Sequence, residues 1–319
     1  MASRPSMSIL GDRISAQRKI SCVQLAKIPA PDFDLAMTLG SGQLFHWENV
    51  DGGFVGAIGD RPVYVEQQGD SLLASCEDEK LIRNYFALDH PLAEICASFP
   101  VDPVMGAAKD FCRGLRIVRQ PKWECLATFI CSSMKQVAHI RQISRSLRER
   151  FGEQRKIDKY AVHVFPKAKR VAQSSENELR KCGLGYRAKN LLASARLVAS
   201  EDVDLEKLAA LTDLDLRVRL CELPGVGSKV ANCVMLFAYE RLRAFPIDVW
   251  IERILREKYF PRARRLNAAR LQAFTEGYFG DHGGYAQQYL FHHARKTARR
   301  SRTIGATQPK RRRLSQSRV

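Results

Sequence analysis

The sequence predicts an α+β fold, with an N-terminal antiparallel β-sheet followed by a mostly α-helical body. Three observations predict it. Between residues 33 and 78, short runs rich in β-branched and aromatic residues alternate with Asp/Gly turns. From about Glu79 the apolar period becomes helical and stays so to residue 300. At LPGVGSKVANC (223–233), two helical patterns meet across a tight Pro-Gly-Val-Gly hairpin.

Each element follows in order. Residues 1–20 read as a flexible N-terminus and 21–105 as the β-rich part. The strand candidates are FDLAMTL, QLFHWENV, GFVGAIG, PVYVEQ and SLLASC, with turns at Asp51-Gly52-Gly53, Gly59-Asp60 and Gly69-Asp70. Residues 106–300 form the helical region. In it Ser175 and Glu178 make a capping box, and segments 186–199, 213–222, 228–240, 249–259 and 284–300 each carry an apolar face opposite basic residues. Residues 301–319 are polar and basic and are expected to be disordered; PKRRRL within them suits a nuclear import signal or a DNA-binding tail.

Composition narrows the function. The 319 residues suffice for two cores, and no apolar run is long enough to span a bilayer. The start, MASRPSMSIL, lacks the pattern of a signal peptide, so an intracellular protein with no membrane partner is expected. Nine scattered cysteines, none in a CxxC pair, give neither metal spacing nor a disulfide framework; no metal and no cofactor is expected. The net charge is +18, and the stretch from Lys296 to Val319 holds nine basic and no acidic residues. The rest keeps a positive excess, so nucleic acid is the natural partner.

The hairpin sharpens this. Gly225 and Gly227 let backbone N–H groups converge on a phosphate at the positive end of the following helix, a contact that positions DNA without reading sequence. A simple αα turn has the same pattern. Lys229 lies on that helix's first turn, where a cation opposes the dipole, so helix stability does not explain it. Beyond the break at Pro246, Asp248 stands where the next helix needs an N-cap. It is either a cap alone or a cap facing Lys229 across a helix and a short return.

LPGVGSKVA with PIDVW resembles the helix-hairpin-helix DNA glycosylase superfamily. LGSGQLFHW (39–47), YFALD (85–89), LRIVRQPKWECLATFICSS (115–133), GLGYRA (183–188) and GYAQQYLF (284–291) resemble its 8-oxoguanine DNA glycosylase branch, in the same order. The resemblance implies a helix-hairpin-helix glycosylase body, and a monomer that excises 8-oxoguanine from double-stranded DNA and nicks the strand by β-elimination. It makes Lys229 the nucleophile and Asp248 its catalytic partner. Lysine attacks the sugar only as the neutral amine, and a helix N-terminus with burial disfavours the ammonium. An ionised Asp248 would stabilise positive charge growing on the sugar.

The resemblance also implies a pocket for the everted base. Cys233, one turn beyond Lys229, and Phe291 would sandwich the purine, while Gln287, one turn before Phe291, would bond its Watson–Crick edge. A main-chain carbonyl at Gly42 would accept from the lesion's N7–H and repel the lone pair of guanine. From the residues alone, Phe291 reads equally as core and Gly42 as a plain turn glycine. Tyr186 would wedge into the stack and Arg187 would donate to the opposite cytosine.

The chain departs from the branch at three places. Met134 stands where an asparagine plugs the vacated space, His139 where an arginine reads cytosine, and Trp250 where a histidine lies near a phosphate. Methionine offers no amide and histidine no bidentate fork, so relaxed preference for cytosine is expected. Two rivals remain open: an alkyl-base glycosylase working through aspartate and water alone, and a non-catalytic protein that binds bent or damaged duplex.

Overall fold

The computed structural model describes residues 25–75, 78–133 and 135–306. The N-terminal sheet is fully antiparallel, ordered β1 (Ala26–Pro29), β5 (Ser71–Ala74), β4 (Arg61–Gln68), β3 (Gly53–Ile58) and β2 (Glu48–Val50). Its hairpins turn at the expected Asp/Gly pairs, with Val55 opposite Tyr64 and Val65 opposite Ala74. Alternation along β4 buries Val63 and Val65 against Ile28 and Leu72, and α2 (Glu79–Tyr85) adds Ile82 and Tyr85 to that core.

One strand candidate is corrected: FDLAMTL forms helix α1 (Leu35–Gly40). The Asp34 carboxylate accepts from the Met37 N–H at 2.7 Å, and Leu35, Thr38 and Leu39 fall on one buried helical stripe. The local cap outweighs a short apolar run that looks equally strand-like. QLFHWENV is extended only at its end, in β2, because its first half is an irregular loop tied to other segments. A first strand at 26–29 was not anticipated.

The helical body comprises α3 (Leu92–Ala97), α4 (Pro103–Phe111), α5 (Lys122–Ser132), α6 (Val137–Phe151), α7 (Ala168–Ala172), α8 (Glu176–Leu179), α9 (Arg187–Ala199), α10 (Asp213–Cys221), α11 (Ser228–Ala238), α12 (Val249–Ile254), α13 (Ala268–Phe279) and α14 (Gly283–Ala306). The Ser175–Glu178 capping box opens α8. A hairpin of β6 (Gln154–Ile157) and β7 (Tyr160–His163) interrupts the expected run of helices. It leans on the main sheet, where Tyr160 stacks on Tyr64 at 6.1 Å.

Helix α5 is the axis of the body, buried from Glu124 to Ser132. It packs on α9, α6 and α11, and its Phe129 stacks on Phe237 of α11 at 5.4 Å. Its buried Glu124 pairs with Arg148 of α6 and lies 3.3 Å from His46, which joins the sheet side to the body. This packing brings the C-terminal end of α5 to the start of α11, while α14 packs on α12 and α4.

Candidate active site

The hairpin forms as the sequence expects. Gly225 adopts φ +83°, and a Cβ there would stand 2.8 Å from the Asn190 Cβ of α9, so only glycine fits. The carbonyl of Pro224 accepts from Ser194 at 2.9 Å, which seats the turn on α9. Gly227 caps α11 without a side-chain partner, leaving the first N–H groups of that helix for another acceptor.

Lys229 is half-buried on the first turn of α11. Its amine donates to the Ser132 hydroxyl at 3.1 Å and lies 5.2 Å over the Phe129 ring. Ser132 is itself buried, and its own proton goes to the Phe129 carbonyl at 2.7 Å, so its oxygen faces Lys229 as an acceptor. Asp248 caps α12, accepting from the Ile251 N–H at 2.9 Å. Burial pushes its carboxyl above the usual range, opposed by the N–H groups of Ile251 and Trp250 and by the charges of Lys229 and Arg295. The two groups thus act on each other electrostatically, and no contact ion pair joins them among the described residues.

Of the expected pocket residues, Cys233 adjoins Lys229, and Gly42 adjoins Phe291. Cys233 is buried one turn below Lys229, and burial raises its thiol to about 11, so it presents a neutral wall. Gly42 lies against Phe291: a Cβ on Gly42 would be 3.0 Å from the Phe291 Cε1. In the loop that holds Gly42, the Gly40 carbonyl accepts from Arg295, the Ser41 carbonyl from Gln288 and the Gln43 carbonyl from Gln120. Among the described residues no donor reaches the Gly42 carbonyl. Gln287 is 4% exposed, and its Oε1 has no partner either. An orphaned buried amide oxygen costs about 1–3 kcal/mol, which suits a group kept for a ligand.

The remaining expected residues differ in exposure. Tyr186 is 60% exposed, as a wedge requires. Arg187 is buried beneath it, 4.3 Å over the Tyr186 ring, and donates to the carbonyls of Leu184 and Ser133. His139 is exposed on the first turn of α6, and Trp250 is half-buried on α12. Met134 lies outside the described residues, as does the PKRRRL segment. Sequence reasoning missed Ser132 and Arg295. The signal for the first was the FICSS motif itself; for the second it was the four-residue spacing from Phe291 along α14.

Comparison with known proteins bears on the family and the fold. Residues 26–126 match the N-terminal domain of 8-oxoguanine DNA glycosylase, and residues 127–276 match the HhH-GPD superfamily of base excision DNA repair proteins. The N-glycosylase/DNA lyase OGG1 of Arabidopsis thaliana is 32% identical over 83% of this chain and 78% of its own length. The chain belongs to the 8-oxoguanine DNA glycosylase family. It is, by that membership, an enzyme of the N-glycosylase/DNA lyase class. The probable N-glycosylase/DNA lyase of Methanothermobacter thermautotrophicus is 29% identical over 85% of this chain and 96% of its own. Among solved structures, MBOgg1 with a low-affinity DNA ligand has a TM-score of 0.82 at 32% identity, covering 86% of this chain and 96% of that one. The 8-oxoguanine glycosylase/lyase of Clostridium acetobutylicum, bound to duplex DNA with cytosine opposite 8-oxoG, has a TM-score of 0.80 at 27% identity, covering 86% and 98%. No helix among the described residues is long and apolar enough to cross a membrane, and no group of three potential metal ligands occurs among them.

Proposed function

We propose that this chain excises 8-oxoguanine from double-stranded DNA by covalent catalysis through Lys229, assisted by Asp248. The observation that carries the reading is the electrostatic coupling of that amine to that buried carboxylate, one on the first turn of a helix and the other at a helix cap, next to the Pro224–Gly227 hairpin. The neutral amine attacks C1′; the C1′–N9 bond breaks and the base departs with the bonding pair. Asp248, ionised, offsets the positive charge that grows on the sugar. Loss of amine protons and opening of the sugar give an imine, and removal of a C2′ proton then expels the 3′ phosphate. No cofactor enters any step.

In this reading Ser132 positions the amine, Cys233 and Phe291 sandwich the everted purine, and Gln287 and the Gly42 carbonyl supply hydrogen bonds that the folded protein leaves unused. Gly225 and Gly227 hold a phosphate, Trp250 packs beside it, and Tyr186 fills the stack. Arg187 reaches the opposite base only by leaving its two carbonyl partners. With His139 in place of an arginine and Met134 in place of an asparagine, cytosine preference is relaxed. The enzyme works as a monomer wherever DNA resides: the nucleus in a eukaryote, the nucleoid in a bacterium. Its binding weakens steeply with salt.

Borohydride trapping on a duplex with one 8-oxoguanine tests the mechanism. The wild-type chain is expected to form a covalent adduct, and Lys229→Gln to form none and release no base. An adduct with the mutant would overturn the assignment, and base release without any adduct would favour an enzyme that uses Asp248 and water alone.

A further inference from the structure

Beyond the charge that it sets near Asp248, Arg295 contacts both the Phe291 ring and the loop that holds Gly42. It stands one turn after Phe291 on α14, with its guanidinium 5.2 Å over the Phe291 ring. Its Nη2 donates to the Gly40 carbonyl at 2.6 Å. Its Nη1 is 2.6 Å from where a Cβ on Gly42 would stand. It also approaches the Nδ1 of His292 at 3.4 Å. A planar guanidinium is suited to this place: it stacks on a ring through its face and donates in its plane.

We propose that Arg295 is the specificity-determining positioning residue of this enzyme, locking the Gly40–Gly42 main chain and the Phe291 ring into one rigid wall. The inference rests on the 8-oxoguanine reading. Lesion and normal base differ at N7 by a proton against a lone pair. A carbonyl rejects guanine there only while it cannot turn away from the repulsion. The neighbouring carbonyls of Ser41 and Gln43 are pinned by Gln288 and Gln120, and that of Gly40 by Arg295. Arg295 is the one of these three that also braces the stacking wall, so ring and carbonyl keep their spacing around a purine. Released by even about 1 Å, such a site loses up to about 100-fold in rate or discrimination.

The test is single-turnover excision by the full chain from duplexes carrying 8-oxoguanine or guanine, beside strand nicking at a preformed abasic site. Arg295→Ala is expected to lower the preference for 8-oxoguanine over guanine by about 10- to 100-fold, with a much smaller loss on the abasic duplex, which has no base to position. Arg295→Lys keeps the charge and the stem but not the fork or the stacking plane, and falls between. An unchanged preference in both variants, or an equal loss on all three substrates, would overturn the proposal. If Arg295→Ala proves unfolded by circular dichroism, the Arg295→Lys preference decides alone. A wild-type chain with no preference for 8-oxoguanine would instead defeat the functional reading, and this inference with it.

Discussion

Replacing Gln287 by methionine should make the protein more stable and a poorer enzyme. Gln287 is 4% exposed and its Oε1 accepts no hydrogen bond, so folding strips water from that oxygen without return. The penalty for such a group is about 1–3 kcal/mol. Methionine has nearly the same length, bends to fit the same slot and carries no atom that needs a partner. Repacking costs up to about 1 kcal/mol, leaving a net gain of roughly 1 kcal/mol or more. At about 2–4 °C per kcal/mol for a chain somewhat smaller than this one, Tm rises by a few degrees. The same change removes the amide that would read the base, so excision of 8-oxoguanine falls by about 10- to 100-fold. Differential scanning calorimetry of the free protein and single-turnover excision measure the two halves. A fall in Tm would mean that the amide serves the fold, and an undiminished excision rate would remove it from the pocket; either result refutes the reasoning.

Other outcomes follow from the same structure. Asp248→Asn keeps a good N-cap on α12, because asparagine caps as well as aspartate. Base release is nevertheless expected to fall by at least about 100-fold, as when one preorganised charge-stabilising group is lost. In the wild type, burial raises the Asp248 carboxyl. Activity is therefore present above its pKa and lost as pH falls through a limb lying above the ordinary carboxylate range; a pH–rate profile with a normal limb would contradict this. Excision opposite C, A, G and T should differ by no more than about tenfold, and His139→Arg, restoring a fork, should raise the preference for cytosine by about the same factor. A strong cytosine preference in the wild type would refute that account. Glu240 is held down to about 2 by hydrogen bonds from His90 and then Arg119. Its contribution is complete above the unfolded carboxylate range and disappears as pH drops toward that value. Glu240 remains 41% exposed, so the effect is below about 1 kcal/mol. Denaturant midpoints between pH 5 and pH 3 should fall less for Glu240→Gln than for the wild type, and parallel curves would exclude the pair as the cause.

The features legible in the sequence are those set within a few residues along the chain. The Asp/Gly turns of the sheet, the Ser175–Glu178 box, the Pro224–Gly227 hairpin and the Asp248 cap each depend on local backbone preferences, and each forms where the pattern indicated. The resemblance carried the family from those same motifs. Short apolar stretches were ambiguous: FDLAMTL satisfies both periods over so few residues, and the Asp34 cap with its buried stripe decided for helix. The β6–β7 hairpin went unseen because β6 is polar, each strand is only four residues long, and the pair packs on the neighbouring sheet.

Tertiary structure alone decided the working parts of the site. Lys229 meets Ser132 across 97 positions of chain, and Arg295 meets Gly40 across 255. Nor does any local pattern reveal that the Gln287 Oε1 is buried without a partner while its neighbour Gln288 finds the Ser41 carbonyl. Hydrogen-bond satisfaction is a property of what surrounds an atom in space. Residue order determines turns, caps and helix faces, while the packing of α5 on α11 and of α14 on the Gly40–Gly42 loop determines which polar atoms are left for a substrate.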